Sequence, residues 1–179
     1  MKFYIGASEP NHWKPFAQLI KWYSRKSYSH TYIRYQDNFT KQYLISESSK
    51  GEAHKIGLSK WYLSNTILEE YEIEVSEEIL RAILTRINNR LQASYSERNI
   101  VGIPFYDLAE YLGSGFLMGL ITKLFADGID STICSESTAF TLGLLGIKFN
   151  RPNDFLRPDH VIETLKKAAI TEDYIKRLT

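Results

Sequence analysis

Two short segments with period-two alternation, separated by a polar turn, restrict the fold of this chain more than any other feature of its sequence. From Tyr28 to Tyr35, polar and apolar side chains are spaced so that every second one shares a face, as in a β-strand. Asp37 to Thr40 supplies turn residues, and Tyr43 to Ser48 has the composition of a second strand. The pattern therefore predicts an antiparallel hairpin, in which residues of both strands lie on one sheet face.

Other patterns predict the elements that extend this sheet and cover it. The most regular helix follows Ser76, a good N-cap, with apolar residues at helical spacing as far as Leu91. We expect further strands at Phe3 to Ile5 and Thr66 to Val75, and further helices at Trp13 to Tyr23, Pro104 to Tyr111, Phe116 to Phe125 and from Pro158 onward. The glutamates of the Thr66 to Val75 strand are expected to form a solvated face. The sequence thus predicts an α+β fold, a small antiparallel sheet packed against helices.

The composition limits the size class of the protein and its partners. With 179 residues, 44% hydrophobic and 24% charged, the chain is expected to form a single domain over residues 1 to 179. Its 22 basic and 21 acidic residues are dispersed, which gives no electrostatic basis for a nucleic-acid partner. Residues 9 to 11 interrupt any secretory signal, and the apolar run from Gly115 to Leu124 is too short to span a bilayer. We therefore expect a cytoplasmic protein without stable membrane insertion, whose oligomeric state the sequence does not specify.

The only cysteine, Cys134, stands where a helix should begin. Asp130, Ser131 and Thr132 are all competent N-caps, and an apolar run follows from Ala139. A helix start favours an anion, so the thiol could ionise nearer neutral pH than the ~8.5 of a free cysteine. The alternative is a small buried cysteine that packs a helix end. One cysteine excludes an internal disulfide and a multi-thiolate zinc site, and no motif for a cofactor or metal is present.

The partner of His30 depends on the register of the predicted hairpin. A four-residue turn places His30 directly opposite Glu47, whose carboxylate could hold the imidazole through one ring nitrogen. One extra turn residue places it opposite Ser48 instead, which could do so only weakly. The alternative for Glu47 is a solvated residue near the turn. His54 lies in residues 51 to 64, which are expected to form a loop, and is predicted to be exposed.

Four short motifs occur in an order that resembles a known family. They are Ser29-His30-Thr31-Tyr32-Ile33, Leu44-Ile45-Ser46-Glu47, Ile133-Cys134-Ser135-Glu136-Ser137 and Phe155-Leu156-Arg157-Pro158-Asp159. The order histidine, acid, cysteine reverses that of ordinary papain-like enzymes, in which the cysteine comes first. The chain therefore resembles the circularly permuted branch of the NlpC-type cysteine peptidase superfamily, which includes the YiiX-like proteins and, more distantly, the lecithin retinol acyltransferase family. The resemblance extends over most of the chain, but each motif is short.

This resemblance implies a permuted papain-like fold and a role for each matching residue. Cys134 would be the nucleophile, His30 its base, and Glu47 the group that orients His30. The backbone N–H of Cys134 would help to bind the oxyanion of a tetrahedral intermediate. Tyr4, Tyr28 and Tyr32 are predicted to line the cleft, although 12 tyrosines leave the choice open, and Ser135 is predicted to bind substrate.

Three functions follow as hypotheses. The first is a thiol hydrolase that cleaves an amide or ester through an acyl-thioester, with a peptide, a cell-wall peptide or a lipid-linked amide as substrate. The second is a binding module on the same fold that does not cleave its ligand. The third is a lipid-directed acyltransferase in which Phe116 to Phe125 docks on a membrane surface. For that segment, however, we expect an ordinary core helix.

Overall fold

An eight-stranded sheet dominates the described residues of the computed structural model, which are 1–49, 52–91, 94–95, 97–126 and 131–179. The strands are β1 (Lys2–Pro10), β2 (His30–Gln36), β3 (Tyr43–Ser49), β4 (Glu52–Gly57), β5 (Asn65–Glu74), β6 (Ser94–Tyr95), β7 (Ser131–Thr132) and β8 (Ile175–Arg177). Their order across the sheet is β7-β6-β4-β3-β2-β1-β5-β8, and only the short β6–β7 pair among them is parallel. The predicted α+β class with an antiparallel sheet is confirmed, although the sheet has more strands than expected.

Seven α-helices accompany this sheet in the described part of the chain. They are α1 (Pro15–Ser24), α2 (Leu58–Tyr62), α3 (Glu77–Asn89), α4 (Glu97–Tyr111), α5 (Gly115–Phe125), α6 (Cys134–Gly143) and α7 (Pro158–Thr171). The predicted start of α3 is confirmed, because the Ser76 hydroxyl accepts a hydrogen bond from the Ile79 N–H at 3.3 Å. The predicted start of α7 at Pro158 is also confirmed.

The largest core lies between one sheet face and helices α3, α6 and α7. Its largest fully buried side chains come from the neighbouring strands β2, β1 and β5 and from those helices: Phe3, Ile5, Ile33, Tyr71, Ile73, Ile83, Leu142, Val161, Ile162 and Leu165. Burying one such side chain contributes about 1.5–3 kcal/mol, so this core fixes α6 and α7 firmly against the sheet. It therefore determines where Cys134, the first residue of α6, lies relative to β2.

Three local predictions are wrong. Residues 51 to 64 were expected to form a loop, but they contain β4 and α2, which place Trp61 in a buried cluster with Tyr32 and Ile45. Pro104 was expected to begin a helix, but it lies inside α4, which starts at Glu97. The glutamates of β5 were expected to form a solvated face; Glu74 is exposed, but Glu70 is buried and bound by the Arg34 guanidinium.

The α5 helix also differs from the prediction of an ordinary core helix. None of its residues is fully buried, and Phe116, Leu120 and Leu124 are 81%, 43% and 50% exposed. Its opposite side packs on α4, where the Phe105 and Phe125 rings stack with centroids 5.8 Å apart. The two helices thus form a hairpin with an apolar outer surface.

Candidate functional site

The hairpin of β2 and β3 brings His30 to Glu47 through a register that differs from both predictions. Six residues, 37 to 42, separate the two strands, and Ile33 pairs with Ser46. Continuing this register puts Glu47 opposite Tyr32, so that His30 is its diagonal neighbour on the same face. The predictions that His30 lies directly opposite Glu47 or Ser48 are therefore wrong. The side chains nevertheless meet, with 2.9 Å between His30 Nε2 and Glu47 Oε2.

Cys134 is the first residue of α6, although the predicted caps do not form. The N-cap is Ile133, which makes no capping bond through its side chain; Ser131 and Thr132 belong to β7, and Asp130 lies outside the described residues. Instead, the buried Glu136 carboxylate accepts a hydrogen bond from the Ile133 N–H, which is half of a capping box. The helix therefore begins at the sulfur-bearing residue, where N–H groups lack acceptors within the helix.

The Cys134 thiol and the His30 imidazole form a hydrogen-bonded pair. Burial alone would raise the pKa of the Cys134 thiol, but the His30 charge, the His30 hydrogen bond and hydrogen bonds from Thr31 together lower it. Burial would lower the pKa of His30, but the charges of Cys134 and Glu47 raise it to about 10. Both shifts favour a thiolate paired with an imidazolium. Because His30 uses Nε2 for Glu47, Nδ1 is the nitrogen left for the sulfur.

Glu47 is held by more than His30. The Trp61 indole N–H donates to Glu47 Oε2 at 2.6 Å, and His54 Nε2 lies 3.5 Å from Oε1. Burial would raise the pKa of the Glu47 carboxyl, but the His30 charge and these hydrogen bonds hold it well below its usual range. The carboxylate at the end of the Cys134–His30–Glu47 row is therefore ionised, although its side chain is only 6% exposed.

A small apolar pocket, with about 30 Å³ of free volume, lies beside Cys134. It is lined by residues from α1, α4, the start of α6 and the segment before α7: Leu19, Ile20, Tyr23, Ile100, Ile103, Pro104, Ile133, Cys134, Ser135, Leu156, Arg157 and Pro158. Although Cys134 is 4% exposed, its neighbours leave this opening, so the residue is not enclosed on all sides. A group bonded to a carbonyl at the sulfur would thus enter apolar surroundings.

A charged network at the rim of the pocket joins α4 to α7. Arg157 binds Asp159 through Nε and Nη2 at 2.9 and 2.8 Å, and Asp107 through Nη1 at 2.5 Å. The Tyr23 hydroxyl donates to the same Asp107 at 2.7 Å. Because both acids neutralise Arg157, the Arg-Pro-Asp segment positions the pocket walls and adds little charge for a ligand.

Of the three residues predicted to bind substrate, two lie away from the pocket and one lines it. Tyr4 lies beneath the Arg34 guanidinium, 3.7 Å from its ring centroid, and Tyr32 is fully buried with its hydroxyl bonded to Glu70. Neither side chain lines the pocket beside Cys134. Ser135 does line it, but its hydroxyl donates to the Leu156 carbonyl. Its backbone is thus better placed than its hydroxyl to contact a ligand.

The sequence interpretation missed three contributors to the site. Trp61 and His54 were assigned to a loop, and Thr31 was treated as an ordinary strand residue. The alternation of Glu52 to Gly57 was too weak to reveal β4, which pairs His54 directly with Glu47. The only sequence signal for Thr31 was its position next to His30.

Protein-family models and curated proteins do not relate this chain to a known family. No protein-family model matches the chain, and no curated protein is significantly similar to it. Within the described ranges, no three His, Cys, Asp or Glu residues form a cluster that could hold a metal ion. None of the helices described there has both the length and the apolar character required to cross a membrane.

Proposed function

We propose that this protein is a cysteine hydrolase with a circularly permuted papain-like fold, which cleaves an amide or ester bond. The observation that carries the proposal is the row Cys134–His30–Glu47, in which an imidazole bonds a carboxylate at 2.9 Å and also pairs with a thiol of lowered pKa. A nucleophile, a base and a group that orients the base are the elements of covalent acyl transfer. The fold resemblance rests on the order of the motifs.

In the proposed mechanism, the Cys134 thiolate attacks the carbonyl carbon of the substrate. The oxygen becomes an oxyanion, which N–H groups of the first turn of α6 can stabilise. His30 then gives its Nδ1 proton to the departing amine or alcohol as the carbon–heteroatom bond breaks, and an acyl-thioester remains. Neutral His30 next removes a proton from water, whose oxygen attacks the thioester and releases the acid, after which the thiolate–imidazolium pair is restored.

The pocket supports an apolar group on the acyl side of the scissile bond. Ile103, Ile133 and Leu156 line it without offering hydrogen-bond donors through their side chains. Each buried CH₂ of a substrate contributes about 0.8 kcal/mol, so affinity should increase with chain length until the pocket is full. p-Nitrophenyl esters from acetate to decanoate are therefore suitable first substrates.

Two measurements test the proposal. Iodoacetamide should alkylate Cys134 at pH 6 much faster than it alkylates free cysteine, because the thiolate persists there. p-Nitrophenyl butyrate should be hydrolysed more rapidly than the acetate, because its short apolar chain can enter the pocket, and Cys134→Ala should abolish turnover. Ordinary thiol reactivity, or equal hydrolysis by Cys134→Ala, would refute the enzyme hypothesis. Retained ligand binding without any turnover in the native protein would instead support the binding module.

A lipid-directed acyltransferase is the second candidate, favoured by the outer surface of the α4–α5 hairpin. On α4, which packs on α5, Phe105 and Leu108 are 52% and 56% exposed, and Leu112, just after the helix, is 60% exposed. Ile103 and Pro104 of the same α4 line the pocket, so a substrate in a lipid surface could lie near the sulfur.

Flotation with phosphatidylcholine vesicles tests this candidate. The native protein should float with the vesicles, and the double variant Phe116→Ser, Leu120→Ser should stay in the soluble fraction. Phe39→Ser is a matched control, since Phe39 is 95% exposed but lies in the β2–β3 turn. A native protein that does not float removes the lipid-surface version and leaves the hydrolase proposal untouched.

A further inference from the structure

Glu47 has two partners that the proposed reaction does not use. The fully buried Trp61 donates its indole N–H to the same carboxylate oxygen that His30 binds, and His54 approaches the other oxygen. We infer that Trp61 and His54 are positioning residues, which hold Glu47 in the orientation and ionisation state that His30 needs. This inference rests on the proposed function, because it concerns how the same base is oriented.

The geometry of the three contacts restricts how Glu47 can rotate. Trp61 Nε1 and His30 Nε2 lie 2.6 and 2.9 Å from Oε2, and His54 Nε2 lies 3.5 Å from Oε1. An indole nitrogen can only donate, so Trp61 requires an acceptor at Oε2. A carboxylate turned away from His30 would therefore also leave a buried indole N–H without a partner, which costs free energy. Trp61 and His30 thus favour the same rotamer of Glu47.

His54 adds a donor from the opposite strand. It pairs directly with Glu47 across β3 and β4, and its Nδ1 lies 3.3 Å from the Glu52 carbonyl oxygen. Both ring nitrogens of His54 thus face groups that only accept hydrogen bonds, which favours the doubly protonated imidazolium. The Glu47 hydrogen bond is the main cause that raises the pKa of His54. A cation at this position stabilises the ionised form of Glu47.

The titratable groups that bear on this arrangement come from three elements. They are His30 on β2, His54 and Glu52 on β4 and, through His30, Cys134 on α6. Trp61 on α2 contributes a neutral donor. If the two residues position Glu47, their loss should weaken the His30 imidazolium and hence the thiolate. A residue with a purely structural role would lower stability without changing the pH at which the thiolate forms.

The test is the pH dependence of Cys134 alkylation by iodoacetamide, measured on the full chain in the variants Trp61→Phe and His54→Gln. Tyr32→Phe is the matched control, because it removes a buried hydrogen bond from the same cluster, 2.8 Å to Glu70, and leaves Glu47 untouched. We expect the alkylation rate at pH 6 to fall roughly 10- to 100-fold in Trp61→Phe, the effect of losing a hydrogen bond to a charged group. A smaller decrease is expected in His54→Gln and none in Tyr32→Phe.

The outcomes separate the two proposals. A native protein without rapid alkylation at pH 6 refutes the thiol-hydrolase proposal itself. The positioning role alone is overturned if the native protein is alkylated rapidly and the pH profiles of Trp61→Phe and His54→Gln match that of Tyr32→Phe. Because Trp61 is fully buried, its variant could fail to fold; the half-buried His54 then decides the test, and an unchanged His54→Gln profile counts against the inference.

Discussion

Replacing Glu47 by glutamine is the most direct test of the site. Glu47→Gln keeps the size of the side chain but removes the negative charge 2.9 Å from His30 Nε2. The amide oxygen has two lone pairs and, in the place of Oε2, can still accept from both Trp61 and His30, so the buried cluster should remain packed. The expected change is therefore electrostatic: the His30 imidazolium loses a charged partner, and the Cys134 thiolate is disfavoured in turn.

The size of the effect follows from the burial of the pair. The His30 and Glu47 side chains are 13% and 6% exposed, so solvent screens their charges little. Removing one partner of a buried ion pair costs about 3–5 kcal/mol, and the retained hydrogen bond places Glu47→Gln near the lower limit. Since about 1.4 kcal/mol corresponds to tenfold in an equilibrium constant, the thiolate–imidazolium pair should become roughly 100-fold less favoured.

The assay is alkylation of Cys134 between pH 4 and pH 10, with thiolate absorbance at 240 nm as a second measure. The native protein should react at a nearly constant rate from weakly acidic to neutral pH, whereas Glu47→Gln should react rapidly only at alkaline pH. Glu70→Gln is the matched control, because Glu70 is a buried strand glutamate bound to Arg34 and Tyr32, away from His30. The reasoning is refuted if Glu47→Gln folds and keeps the native profile, or if Glu70→Gln changes it equally.

Three further predictions concern stability, measured by urea denaturation. Gly6→Ala should destabilise the protein by about 1–3 kcal/mol, because its Cβ would lie 2.3 Å from the buried Tyr32 hydroxyl; unchanged stability would contradict the packing described. Gly119→Ala should stabilise it by about 0.5–1 kcal/mol, since this exposed helical position has open space around it; a loss would show an unrecognised contact. Burial raises the pKa of Glu136 to about 7, so between the ordinary value of 4.5 and about 7 the folded state retains a proton that the unfolded state releases, and stability falls as pH rises. Glu136→Gln lacks this decline, so its stability relative to the native protein should increase by roughly 3 kcal/mol between pH 4 and pH 8. A difference that stays constant with pH would contradict the raised pKa.

The meeting of His30 and Glu47 was predictable even though the hairpin register was not. Side chains in a strand alternate between faces, so an error of two residues in the register keeps both side chains on the same face. The six-residue turn shifts the pairing by two relative to the first prediction, which turns a direct pair into a diagonal one. The Ser48 alternative required a shift of one, and this would have placed Glu47 on the opposite face.

Other features depend on contacts that a single sequence does not specify. Periodicity identified the helical residues of α5, but an apolar helix has the same pattern whether a core covers it or not. Similarly, Trp61 follows β4, a short strand whose sequence alternates only weakly. Its indole reaches Glu47 because β4 pairs with β3 and α2 follows β4 directly. The catalytic roles of Cys134, His30 and Glu47 are predictions that the alkylation and turnover measurements test.

The relative size of two effects decides what makes Cys134 acidic. The sequence argument relied on the helix start, which contributes about 0.3–1 kcal/mol at an exposed terminus and up to ~2 kcal/mol when partly buried. Burial opposes ionisation, and the charge and hydrogen bond of His30 are the largest causes that overcome it. Removing the imidazolium should therefore abolish the reactivity of Cys134 at low pH even though α6 keeps its position. The sulfur thus depends on a histidine more than a hundred residues away in the chain, and the carboxylate that orients this histidine is as important to the thiolate as the helix on which the sulfur lies.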